Sequence, residues 1–221
     1  MNHGAKMQLD MTTFSMISHR GWRTVALATG LLMIAACSHN VPEVKFQARD
    51  ITGADWGRDF HLVDPTGVTR SLADYRGKVV MLFFGYTNCP DECPTTLTKM
   101  AQAVDHLGED GKRVQGLFVT VDPARDTPAV LTKYVAAFHP SFVGLSASGP
   151  SIAATAKDFK VFYAAGKPAE SGVYTVDHTS GIFVFDPQGR LRLFMGPRIR
   201  VDAMVHDLKL LLDETSKRTQ P

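Results

Sequence analysis

An excess of charge of one sign is what this 221-residue chain lacks most plainly. Its 24 Lys and Arg residues stand against 22 Asp and Glu, a formal net charge of +2, and the cations are scattered rather than clustered. Nothing in that balance asks for nucleic acid or an anionic surface as a partner. Long apolar runs are missing as well: the run 25–36 has 12 residues, well short of the roughly 20 that span a bilayer as a helix. With only three cysteines the chain is not a disulfide-stapled mini-domain, so each thiol has to be read on its own. There is no internal repeat and no low-complexity stretch. An apolar fraction of 44% with 21% charged residues is that of a soluble globular domain, which excludes a disordered chain, a coiled coil and a polytopic membrane protein.

What is present begins with a targeting pattern. From Met16 the chain reads a basic stretch with Arg20 and Arg23, the apolar run 25–36, and then Cys37. This is the layout of a signal peptide, and Ile34-Ala35-Ala36-Cys37 looks like a bacterial lipobox, in which cleavage exposes Cys37 for lipid attachment. The expectation is a signal segment over 1–36, with Met16 as the start, and a lipoprotein held to a membrane of the bacterial cell envelope. Loss of 1–36 takes away Lys6, Arg20, Arg23 and Asp10 and leaves 21 basic and 21 acidic residues. Cys89 and Cys93 are then the two thiols left, in a compartment where disulfides persist.

Residues 38–57 are polar and irregular and are expected to form a tether, 58–215 one α/β domain, and 216–221 a flexible tail. Residues 60–63 and 68–71 flank Asp64-Pro65-Thr66-Gly67 and read as a short hairpin. The continuous apolar run 79–84 has the pattern of a strand buried on both faces, and 114–121 reads as a second buried strand. Helical spacing marks 94–107, 128–138, 151–159 and 201–212. Residues 142–145 read as a short strand, 161–164 and 174–176 as edge strands, and 182–185 with 191–194 as a hairpin around Asp186-Pro187-Gln188-Gly189. Strand and helix in alternation, then a hairpin and a helix, is the order of a thioredoxin-like fold: a mixed central sheet flanked by helices, here with an N-terminal hairpin and an inserted hairpin. Fold by itself does not give function.

The chemistry lies in Cys89-Pro90-Asp91-Glu92-Cys93-Pro94, directly after the first buried strand and before a helix. A residue before proline is biased away from the α region. The prolines therefore predict both cysteines on an irregular loop, with Pro94 the first helical residue and Cys93 at the N-cap, where the helix end favours a thiolate. Two thiolates here either close a disulfide or hold a soft metal ion. A third donor is available in His178, which stands just before the strand 182–185. In a thioredoxin-like fold that loop faces the cysteine loop and usually carries a cis-proline, whereas no proline precedes Ile182 here. Two sulfurs and one nitrogen make the trigonal set of a copper site. His61, His106, His139 and His206 sit in polar or helical contexts and read as surface residues.

Three segments together resemble the Sco (SenC/PrrC) family: 85–94 with its Cys-Pro-Asp-Glu-Cys-Pro, 121–128 with Val-Asp-Pro-Ala-Arg-Asp-Thr-Pro, and Val176-Asp177-His178-Thr179. The resemblance covers about 50–213. It implies a thioredoxin-like domain that binds one copper ion, Cu(I) or Cu(II), through Cys89, Cys93 and His178. It also implies delivery of that copper to the binuclear centre of cytochrome c oxidase subunit II, with reduction of the client's cysteines as an accessory activity. Asp122 matches an acidic residue near the family's site, although a turn or capping role explains it equally well. Many members carry a transmembrane anchor where this chain offers a lipobox. The competing reading is a general extracytoplasmic thiol-disulfide oxidoreductase acting through Cys89 and Cys93. A peroxiredoxin would need a threonine three residues before its reactive cysteine, and Thr87 is two before Cys89.

Overall fold

The computed structural model describes residues 45–169 and 174–218, with side chains to 214 in the last helix. The segment 1–36 expected as a signal and Cys37 lie outside the described residues. Ten strands run in chain order as β1 (Arg49–Asp50), β2 (Leu62–Val63), β3 (Thr69–Arg70), β4 (Val79–Gly85), β5 (Val114–Thr120), β6 (Val143–Leu145), β7 (Tyr163–Ala165), β8 (Val176–His178), β9 (Ile182–Phe185) and β10 (Leu191–Met195). Among the described residues four α-helices join them: α1 (Glu92–His106), α2 (Pro128–Ala136), α3 (Gly149–Asp158) and α4 (Val201–Arg218). Six strands form one sheet in the order β1-β10-β9-β4-β5-β6. The pairs β4–β5 and β5–β6 are parallel, and β4–β9, β9–β10 and β10–β1 are antiparallel. The mixed, helix-flanked sheet is the thioredoxin-like arrangement expected.

Every residue of β4 and β5 is buried, which is why β4 reads as a continuous apolar run; β5 also buries Thr120 and Gln115, whose amide donates to the Gly116 and Ser141 carbonyls. Helix α1 buries Cys93, Leu97, Met100, Ala101 and Val104, a stripe at the spacing of one helical face. It packs against α4.

Two hairpins share one device. In the β2–β3 turn, Asp64 accepts from the Thr66 hydroxyl (2.6 Å), the backbone N–H groups of Thr66 and Val68, and Arg70 Nε (2.8 Å). Those donors hold its carboxyl down at about 2 despite its burial. In the β9–β10 turn, Asp186 accepts from the N–H groups of Gln188 and Arg190 and from both Arg190 and Arg192. Gly67 and Gly189 close these turns at φ +88° and +69°, a region open to glycine at little cost.

The structure corrects the tether. Residues 45–57 dock on the domain: β1 is the edge strand beside β10, and the N–H groups of Gln47 and Ala48 donate to the buried Asp207 of α4 at 2.9 and 2.8 Å. Trp56 packs edge-on against Phe183. A two-residue edge strand carries too little pattern to be recognised from sequence, because its partner strand supplies the pairing. Helix α4 also continues to Arg218, past the predicted end at 212 and into the stretch expected as tail.

Candidate metal centre

The site is built at the C-terminal end of β4. Gly85 closes that strand, and a Cβ placed on it would lie 2.7 Å from Cys93 Sγ and 2.8 Å from the Phe118 ring. Only glycine leaves room for the thiol. Beyond it, Thr87 is tied down by Asp126, which is 2% exposed. Asp126 accepts from the Thr87 N–H (3.1 Å), the Thr87 hydroxyl (2.6 Å) and the Thr120 hydroxyl (2.6 Å). The cysteine loop is thereby fixed to the end of β5.

Cys93 is not the N-cap. Asp91 holds that position, and Cys93 is the second residue of α1, with Pro94 the third. The first four N–H groups of a helix have no intrahelical acceptor, so a proline there forfeits no bond. The pre-proline bias is outweighed by that freedom and by the burial of Cys93. The orphan N–H of Cys93 donates to Cys89 Sγ at 3.4 Å, so one thiol caps the helix that carries the other. The expected ease of ionisation is also reversed. Cys93 is fully buried, and burial pushes its thiol well above the ordinary range, outweighing the backbone N–H of Tyr86 that favours the thiolate. In the metal-free protein this sulfur is protonated at neutral pH, and metal uptake has to release that proton.

His178 is the last residue of β8 rather than part of a loop, paired across to Tyr163 in the separate two-stranded β7–β8 sheet. Its Nδ1 donates to the Thr179 carbonyl at 3.1 Å, which fixes the tautomer and leaves the Nε2 lone pair for a ligand. Nε2 lies 3.5 Å from Cys93 Sγ. The ring stands edge-on to Phe83 and Tyr86, both at 6.0 Å, and this burial lowers its pKa below the usual 6.5. The donor atoms of Cys89, Cys93 and His178 all lie within 4.8 Å of one another. Among the described residues no other group of three or more His, Cys, Asp or Glu side chains is so arranged. Both cysteines are free thiols. Two sulfurs and an imidazole form a soft donor set suited to Cu(I), or to Cu(II) with the nitrogen in place.

Asp122 contributes no donor atom to this set. It accepts from the Tyr174 hydroxyl at 3.0 Å and pairs with Arg125, whose guanidinium stacks 3.6 Å above the Tyr174 ring and faces Tyr86. Its role is to hold the wall behind the site. His106, His139 and His206 bond to Gln102, Ser141 and Asp207 away from the site, and His61 is exposed. Sequence reading missed three supporting residues, Gly85, Asp126 and Thr179. Asp126 had a signal available, as an acidic residue in a turn that follows a fully buried strand.

A thioredoxin-like domain with two thiols at the strand-to-helix turn and an imidazole closing over them defines a thiol-based metal-binding protein. The chain belongs to the SCO1/SenC family, whose model matches residues 48–213. It is 46% identical over 133 residues to the mitochondrial SCO2 homolog of Bos taurus, covering 59% of this chain and 50% of that one. It is 32% identical over 188 residues to the human mitochondrial SCO1 homolog, covering 81% and 62%. The chain thus spans about half to three fifths of these curated relatives. Among solved structures, apo Sco1 from Thermus thermophilus matches at 42% identity and TM-score 0.68, over 76% of this chain and 97% of that one. Copper-bound ScoI from Bradyrhizobium japonicum matches at 35% identity and TM-score 0.63, over 69% and 97%.

Proposed function

We propose that the protein binds one copper ion through Cys89, Cys93 and His178 and delivers it to the binuclear copper centre of cytochrome c oxidase subunit II. The observation that carries this reading is the convergence of two sulfurs and one free imidazole nitrogen within 4.8 Å. Copper is cargo here. It is held by soft ligands and passed on by ligand exchange, with no turnover of a small molecule. The copper-bound relative from Bradyrhizobium japonicum supports the choice of metal, and membership of the family supports the client.

The competing reading, general thiol-disulfide exchange, needs an open peptide-binding edge beside the thiols. At the position before Ile182, Gly181 stands in place of the clamping proline, and the Phe194 ring lies where a side chain would stand. Metal delivery is favoured, with reduction of the client's cysteines as an accessory activity of the same pair. Titrating the reduced domain with copper tests the assignment: one equivalent binds, and mild oxidation of Cys89 and Cys93 abolishes binding until reductant is added. Binding that survives oxidation overturns it.

The protein acts in this reading as an envelope lipoprotein attached through Cys37. Among the described residues no helix is long and apolar enough to cross a membrane. Expressed with its own signal segment, the wild type fractionates with membranes and Cys37→Ser becomes soluble. A membrane-bound Cys37→Ser protein would rule out lipidation as the anchor.

A further inference from the structure

Copper passes between proteins when ligands of the acceptor come within bonding distance of the metal, so the acceptor must touch the surface around Cys89 and His178. Four large apolar side chains among the described residues are exposed by more than a third: Val63, Val68, Val130 and Phe162. Single exposed apolar residues are ordinary. Phe162 differs in two respects. At 65% it is the most exposed of the four, and its backbone is bonded in both directions to the residue that directly follows His178 and β8. The Phe162 N–H donates to Thr179 Oγ1 at 3.0 Å, and the Thr179 N–H donates to the Phe162 carbonyl at 2.9 Å. The Thr179 carbonyl in turn receives the Nδ1 proton of His178 at 3.1 Å. One residue therefore joins an exposed aromatic ring to the orientation of a metal ligand.

We infer that Phe162 is the docking anchor for the copper acceptor, a protein with an apolar recess beside its own thiolate or imidazole ligands, and that seating Phe162 shifts His178 through Thr179. The inference rests on the copper-delivery reading. Buried aromatic anchors carry much of the energy of protein interfaces, and the backbone of this one is bonded to the residue next to His178. Charge narrows the partner further. Asp91, Glu92 and Asp177 are exposed on the ligand-bearing segments and form no ion pair among the described residues, so the complementary rim of the acceptor is cationic. As His178 turns away, Cu(I) remains on two thiolates with an open side that an incoming ligand can take. The bonds to Cys89 and Cys93 then break as acceptor bonds form. Copper stays Cu(I) throughout, and protons released by the acceptor's thiols return to the two sulfurs.

The test compares wild type, Phe162→Ser, Phe162→Leu and Thr179→Val, each loaded with Cu(I). Two acceptors are used: a soluble, copper-free binuclear-copper domain of a bacterial cytochrome c oxidase, and a small Cu(I) chelator that needs no docking. Phe162→Ser slows transfer to the protein acceptor at least tenfold and leaves transfer to the chelator unchanged, while Phe162→Leu regains most of the loss. Thr179→Val keeps the carbonyl on His178 and removes the hydroxyl on Phe162. It binds the acceptor as wild type does but transfers several-fold more slowly. Titration of metal-free protein with the copper-free domain gives an independent readout, in which Phe162→Ser weakens binding about tenfold. Equal transfer and equal binding by wild type and Phe162→Ser overturn the docking contact alone. Wild-type transfer by Thr179→Val overturns the coupling to His178. A wild type that passes no copper to the domain overturns the delivery reading and this contact with it.

Discussion

The sulfur side and the nitrogen side of the metal centre are built from different kinds of structure. Cys93 is fully buried between the end of β4 and the first turn of α1, over a glycine that no other residue could replace without collision. Its loop is pinned by the buried Asp126, and its helix is capped by Cys89. His178 ends a three-residue strand that pairs only with β7, outside the six-stranded sheet. Elements with little burial and few ladder bonds open at low free-energy cost, while core strands open only with the whole fold. The difference teaches how one site can hold a metal and release it. Cys93 is fixed in advance by the core, and His178 sits on a two-stranded ribbon outside the main sheet.

Four outcomes would break or sharpen that contrast. The largest effect is expected from Cys93→Ser, which exchanges a soft ligand for a hard one at nearly constant volume. Cu(I) affinity, measured by competition with a chelator, falls more than about 1,000-fold, or ~4 kcal/mol, with the fold intact. Next, Asp126→Ala strips the buried acceptor from Thr87 and Thr120. It should cost about 2–4 kcal/mol and lower the melting temperature by roughly 5–15 °C. A shift near zero would mean that the sulfur side is held by something else. The nitrogen side behaves differently under His178→Ala: the fold is unchanged, Cu(I) affinity drops only about tenfold, and the thiolate-to-Cu(II) absorption of the wild type decays quickly. A long-lived Cu(II) spectrum in that variant would assign the nitrogen to another residue.

The smallest effect is in pH dependence. Burial holds the His178 imidazole below its ordinary 6.5, so the unfolded chain takes up its proton first. The contribution of this group to stability is therefore complete above 6.5 and is lost as pH falls through the depressed folded value. The imidazole proton shift of the metal-free protein, followed by NMR, should titrate with a midpoint below 6.5. A midpoint at or above it would show a solvated ring.

How much of this was legible in the sequence depended on how local the signal was. The run that became β4 announces itself because burial on both faces removes alternation, β5 less so because it carries Gln115 and Thr120, and the paired Asp-Pro-x-Gly turns are self-contained. The three donor residues could be named because Cys89, Cys93 and His178 carry uncommon chemistry at telling places. Cys93 itself was misjudged. Helix-end electrostatics can be read from a string of letters, but the desolvation that overrides it depends on Gly85 and Phe118, brought there by separate strands. Asp126 and Thr179 escaped for the same reason, since their partners lie 39 and 17 residues away in the chain. The edge strand β1 has no pattern of its own and exists because β10 offers it a free ladder.

The docking of that edge strand has a mechanical consequence. Strand β1 runs antiparallel to β10, with Arg49 opposite Phe194 and Asp50 opposite Leu193, and β10 points the same way as β4, through β9. The chain therefore enters the domain at the end of the sheet where β4 delivers the cysteine loop, and only three strand spacings, about 14 Å, separate the two strands. Asp207 grips the entering backbone at the same place. A pull on Lys45 would therefore be borne by the β1–β10 pairing and the two bonds to Asp207, at the end of the sheet that carries the cysteine loop.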